Sequence, residues 1–129
     1  MTDLLTATKD ALVARLQGAV GAPVFDHVPD GQQPPVVVLD RIDSEDAGGK
    51  DGGLIRALVT VQVIAQGRSR DPFRAIVSAV RQRLDGFRPP ATAQVLFGDI
   101  GVSSTSETTL GDGLTHLGDI SAELFVQPA

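Results

Sequence analysis

Residues 54–66 read LIRALVTVQVIAQ, and this run decides the fold. Ile55, Ala57, Val59, Val61, Val63 and Ala65 form an unbroken apolar face at period two, the spacing of a strand covered on one side. The opposite face carries Arg56, Thr60, Gln62 and Gln66, yet also Leu54, Leu58 and Ile64. That second face is semi-apolar. It suits contact with water, another strand or another subunit, and exposed apolar surface of this kind marks a subunit contact.

Toward the C-terminus, Gly67 to Arg70 make a turn. Asp71 reads as an N-cap, with Pro72 at the first helical position, where its missing N–H costs nothing. Phe73, Ile76, Val77, Val80 and Leu84 follow at helical spacing, and Gly86 ends the helix with Arg81 and Arg83 near its negative end. Pro89 and Pro90 forbid continuation. Residues 93–108 read as one long strand, in which Gly98 and Gly101 signal a bulge or a close backbone approach. Leu110-Gly111-Asp112-Gly113 is a hairpin turn. Residues 114–127 give the last strand, with Ile120, Ala122, Leu124 and Val126 on one face and Glu123 and Phe125 on the other.

Toward the N-terminus, residues 43–53 (DSEDAGGKDGG) hold four Gly and four acids. Such a stretch buries too little apolar area to offset its ordering entropy, so it reads as a flexible loop unless a partner pins it. Residues 35–42 are β-branched and form a strand, with Pro34 and Pro35 at its entry because neither donates to a ladder. Pro29-Asp30-Gly31 is a turn, and Val24 to Val28 a short strand. Residues 3–17 read as a helix capped by Thr2 or Asp3, with Leu5, Thr8, Leu12 and Leu16 as a narrow stripe, ended by Gly18 and Gly21. The order is α-β-β-β-α-β-β. This predicts an α+β fold in one domain, residues 1–129: a single mixed or antiparallel sheet with two helices on one face.

Composition narrows function. The chain has 129 residues, of which 42% are hydrophobic, and no Cys, which excludes thiol catalysis, zinc thiolates and iron–sulfur clusters. With no Trp or Tyr and a net charge of −5, it is poorly supplied for nucleic-acid binding. No apolar run reaches the roughly 18 residues of a membrane span, and MTDLLTATKD mixes acids and polar residues too early for a signal peptide. Both point to synthesis in the cytoplasm and no membrane partner.

Tests for chemistry fail one by one. From Asp43, the run DSEDAG sets Gly48 at the sixth position of a calcium loop, but the twelfth is Leu54 where a bidentate Glu is needed. Gly49-Lys50 lacks the phosphate loop's other residues, with Ser44 and Asp51 in their places. His27 follows Asp26, and neighbours in a strand point to opposite faces. His116 lies near Ser103, Ser104 and Ser106, but GVSST is no nucleophile elbow. A hydrogen-bonded or solvent-facing structural His is the better reading, with no metal, cofactor or catalytic residue assigned.

The bases cluster instead. Arg68, Arg70, Arg74, Arg81, Arg83 and Arg88 are more than half of the chain's 11 basic residues. They form either a solvated helix flank or a rim that docks on acid. Asp43, Glu45, Asp46 and Asp51 supply such acid on another copy of the chain. With Leu58 and Ile64 on the semi-apolar face, Arg68, Arg70, Arg74 and Arg81 and these four acids are the candidate interface residues.

The ordered succession of these segments carries a resemblance. A leading helix (LLTATKDALVARL) is followed by VFDHVP (24–29), the Pro-led strand PPVVVLD and a polar Gly-rich loop. Then come the alternating LVTVQVIAQ, GRSRD, a helix of form F-x-x-I-V-x-A-V-x-x-x-L, and a strand pair ending LTHLGDISAELFV. Over about residues 3–127 the chain resembles the tail-terminator, or tail-completion, proteins of long-tailed phages and gene transfer agents. The resemblance implies a non-enzymatic virion subunit without cofactor. Its self-association would give a ring, commonly hexameric, that caps the tail tube, stops its polymerisation and joins the tail to the neck of the head. Implied partners are further copies of itself, the tail tube protein and head–tail connector proteins, with DNA passing through the lumen unread. Implied locations are the particle tail and, during assembly, the host cytoplasm. Alternatives are another head–tail connector or minor tail protein, or a small α+β hydrolase or ligand-binding domain using His27 or His116.

Overall fold

The computed structural model describes residues 3–48 and 53–129. The alternating run becomes β3 (Ile55–Gln66), flanked on both sides: one neighbour pairs with it from Ile55 to Ile64 and the other along its whole length. One neighbour is β2 (Val36–Asp46) and the other β6 (Thr115–Pro128), both antiparallel. β1 (Val24–Phe25) adds a parallel pairing, to β2. On the far edge of β6 lie β4 (Val95–Phe97) and β5 (Gly101–Thr109), giving a mixed sheet of six strands. Helices α1 (Leu4–Leu16) and α2 (Asp71–Leu84) complete the α+β fold in the expected order.

Both helices pack on one face. The period-two face of β3 is buried, with Ala57, Val61 and Val63 at 0% exposure. It meets Ile120, Ala122, Leu124 and Val126 of β6 and the α2 stripe Phe73, Ile76, Val77, Val80 and Leu84 in one apolar cluster. Gly118 is where α2 comes closest to β6: a Cβ there would stand 2.9 Å from Phe73 Cζ and 3.0 Å from Val77 Cγ2. The sheet has no side chain at that point because the helix already occupies the space.

The α1 stripe is rotated slightly from the expected one. Thr8, Leu12 and Leu16 are buried as read, but Leu4 packs on the core beside Ala7 and Ala11. Buried Thr8 satisfies its hydroxyl by donating to the Leu4 carbonyl at 2.7 Å. Asp3 is the cap, accepting from the Leu5 N–H at 3.0 Å. Reciprocal bonds join the helix ends: Arg15 Nε donates to the Arg83 carbonyl (2.9 Å) and the Arg83 guanidinium to the Arg15 carbonyl (3.3 Å).

Three expectations are corrected. Residues 43–46, read as the start of a flexible loop, extend β2 and pair with residues 55–58 of β3. Ladder bonds need only a partner backbone, so acids persist in a strand whose neighbour is already fixed. Residues 93–108, read as one strand, are β4 and β5, both on the edge of β6. The break falls between the two glycines: the Gly98 N–H reaches the Phe125 carbonyl at 2.8 Å, while Ile100 leaves the ladder to exchange bonds with Gly86 and Phe87. At α2 the cap is not Asp71, which is already helical; its N–H donates to Ser69 Oγ at 3.1 Å.

Candidate interaction surfaces

Period two puts a second set of side chains on the face away from the helices. Directly across the strands, Ile64 sits between Val36 and Leu117, and Leu58 between Asp43 and Glu123. Ile64 and Leu58 are both half-buried. Gln62 donates to Asp119 Oδ1 at 3.1 Å. Arg56 joins Glu45 on β2 to Glu123 on β6, and Arg41 pairs with Asp43 at 2.6 Å. Phe125 stands open at 52% exposure beside Arg56. This face thus has an apolar row near the start of β6 and an acidic, partly paired region near its end.

The basic segment divides. Arg74 grips Glu107 of β5 through Nε and a terminal nitrogen, each at 3.2 Å. That bond holds the Glu107 carboxyl below its ordinary pKa, with the charge of Arg70 adding to it, and raises the pKa of Arg74. Arg81 reaches Thr105 Oγ1 at 3.5 Å, and Arg88 pairs with Asp99 at 2.8 Å. The flank that read as a docking rim is therefore largely docked on the chain's own β5 and the bulge before it. Arg68 and Arg70, on the exposed turn before α2, form no ion pair among the described residues.

Of the acids, Asp43, Glu45 and Asp46 are exposed at the far end of β2. Asp51 lies outside the described residues. The acids and Arg68/Arg70 sit at opposite ends of β3, so the structure does not bring the two charge groups together within one chain.

The histidines also separate. His27 is exposed after β1. His116 is 2% exposed and braces three segments. Its Nε2 is 2.8 Å from the Gly67 carbonyl, its Nδ1 3.0 Å from Thr109 Oγ1, and its ring lies 5.6 Å from that of Phe73. A carbonyl only accepts, so Nε2 donates to Gly67, while the Thr109 hydroxyl, which can donate or accept, partners Nδ1. Both ring nitrogens are engaged, and neither touches a serine. Ser103 Oγ instead donates to the Ser121 carbonyl at 3.1 Å. His116 is a structural cross-brace.

Four large apolar side chains stand exposed among the described residues: Phe125, which the alternation of the last strand puts on the face away from the core, and Leu96, Leu110 and Leu114, for which no role was expected. Leu110 and Leu114 flank a Gly-Asp-Gly turn, where polar residues are usual, and that was the available signal.

The described residues thus combine a buried, fully engaged His116 with open apolar and charged surfaces. The family model described as Tail completion protein gp17 matches residues 4–127. The chain belongs to this family. It is a structural protein of the phage tail and not an enzyme, which sets aside the hydrolase alternative. Its place is the virion tail. Among solved structures, a chain of the "Virion of native gene transfer agent (GTA) particle" superposes with a TM-score of 0.72 at 20% identity, covering 90% of this chain and 84% of that one. At that identity the likeness establishes the shared fold. A search of curated proteins gives no match.

Proposed function

We propose that this tail-completion protein is a tail terminator: a single domain whose copies close into a ring on the end of the tail tube, halt its polymerisation and present a surface to the neck of the head. One observation carries the ring. Asp43, Glu45 and Asp46 lie at one end of β3, and Arg68 and Arg70, without an ion pair among the described residues, at the other. The 12 residues of β3 hold these groups roughly 35–40 Å apart at the usual strand rise. They cannot meet in one molecule, but they meet between copies placed head to tail. Such a contact is heterologous, which is what a cyclic ring requires. The half-buried Leu58 and Ile64 lie between the two charged ends and extend the contact. An acidic surplus facing a lumen would repel DNA and leave the channel open to it.

Native mass measurement with and without tail tubes tests the reading. A terminator gives one discrete multimer on tube ends, hexameric by the family resemblance. Open-ended polymers would favour a minor tail or tube-like protein, and a multimer on the neck alone another connector. A chain that stays single with tubes present would overturn the ring.

A further inference from the structure

Two features lack a counterpart among the described residues, and they lie at opposite ends of the fold. At one end the β5–β6 turn presents Leu110 and Leu114, 44% and 45% exposed. The turn is braced. Asp112 Oδ1 accepts from the Leu114 N–H (2.8 Å) and the Thr115 N–H (2.9 Å), and Oδ2 from the Thr115 hydroxyl (2.7 Å). Those bonds hold the Asp112 carboxyl below its ordinary pKa. The Gly67 N–H donates to the Leu114 carbonyl at 2.9 Å, which seats the turn bearing Arg68 and Arg70 beside the leucines. The two apolar side chains are thus held outward on a fixed support, next to a cation.

At the other end an open groove of about 480 Å³ runs between α1 and the segment leading into β4. Ala7, Ala11, Pro90, Ala91 and Phe97 make it mainly apolar, and Asp10 stands on its rim. Ala7 and Ala11 are one helical turn apart, and their small side chains leave the hollow. The far wall is also braced: Thr92 Oγ1 accepts from the N–H groups of Gln94 (3.2 Å) and Val95 (3.0 Å). At the rim, Lys9 lies between Asp10 (3.1 Å) and Asp26 (3.3 Å), so this corner carries one carboxylate more than it has cations.

β6 links the two features. It starts at Thr115, next to Leu114, and ends at Pro128, which pairs with Val95 on the groove wall. Its 14 residues span roughly 40 Å, so a chain cannot fill its own groove with its own turn. From this placement we infer that the groove seats the Leu110–Leu114 turn of a neighbouring copy, with the incoming Arg68 over Asp10. The two leucines supply apolar area to an apolar hollow with room for both. The cation and the surplus carboxylate fix the direction of entry. The inference rests on the ring reading and gives that ring its apolar anchor.

The absence of Cys from the chain permits a clean test. Leu114→Cys and Ala91→Cys are introduced together, both at exposed positions. Within one molecule they lie far beyond the roughly 4.4–6.8 Å Cα separation of a disulfide, so any bond joins two copies. Oxidation of tube-bound protein is expected to give a ladder of covalent multimers, while each single variant stops at a dimer or below. A second pair guards against misfolding: Leu110→Asp with Leu114→Asp on one chain, Ala91→Trp on another. Each variant alone should lose self-association at least tenfold. A mixture should give a 1:1 pair and nothing larger, because only one intact turn and one intact groove remain. If native mass shows several copies on the tube but the double-Cys chain gives no ladder, the groove contact is wrong and the ring stands. Cross-linking of the groove cysteine to the tube protein in place of a second copy would overturn it equally. A wild-type chain that stays single on tubes overturns both.

Discussion

The two faces of β3 differ by one residue in register and by everything in fate. Val61 and Val63 are fully enclosed under α2, whereas Gln62 and Ile64, their neighbours in sequence, are half open. The enclosed face resembles that of any sheet under helices. The open face mixes Leu58 and Ile64 with Arg56 and Gln62, a composition poor for a core and too apolar for plain solvent contact. The difference is a division of labour at period two: one face makes the molecule, and the other, with the ends of the strands, is the surface we propose for assembly.

Substitutions on either side of that division sharpen the comparison. The largest effect is expected on the helix side. Leu84→Ala, at a site with no exposure, should cost about 2–5 kcal/mol in denaturant unfolding. Gly118→Val should cost about 1–3 kcal/mol, because the new side chain meets Phe73 and Val77 before either can move away. His116→Ala leaves the Gly67 carbonyl and Thr109 hydroxyl without their shared partner and should cost a similar amount, about 1–3 kcal/mol. On the open face, Leu58→Ser and Ile64→Ser, at half-buried sites, should each cost less stability than Leu84→Ala while weakening ring formation on tubes. Equal losses of stability on both faces would break the comparison.

The smallest effect is a pH dependence. Glu107 is held below its ordinary value of 4.5 by Arg74, and Asp3, Asp26 and Asp112 are lowered by their own hydrogen bonds and neighbours. A carboxyl lowered on folding stabilises the fold above its unfolded pKa and loses that contribution as pH falls through the folded one. Melting temperature should therefore slip slightly on acidification below about pH 4.5, and Glu107→Gln should flatten part of that slope. These groups are exposed, so the shift should be small and fade with salt.

Much of the fold is legible because local rules decide it. Phe73 to Leu84 repeats at helical spacing behind a proline, and one face of β3 is apolar at every second residue from Ile55 to Ala65. What escaped depends on partners distant in sequence. Acids 43–46 become a strand because β3 offers its edge, and Ile100 leaves the ladder because Gly86 and Phe87 bind it. The same holds for the interaction surfaces. Clustering of the arginines was plain, but Arg74 and Glu107 lie 33 residues apart, and only the folded chain shows that this cation is already engaged.

The long β3–β6 pair has a mechanical consequence. Its residues stay in register from Ile55 opposite Val126 to Gln66 opposite Thr115. If neighbours grip each subunit near the two ends of β6, tension around a closed circle pulls along the strands. The rungs then share the load in shear and must fail together, whereas a pull across the strands would peel them apart one at a time. A collar loaded in this way stiffens without any covalent link between its members.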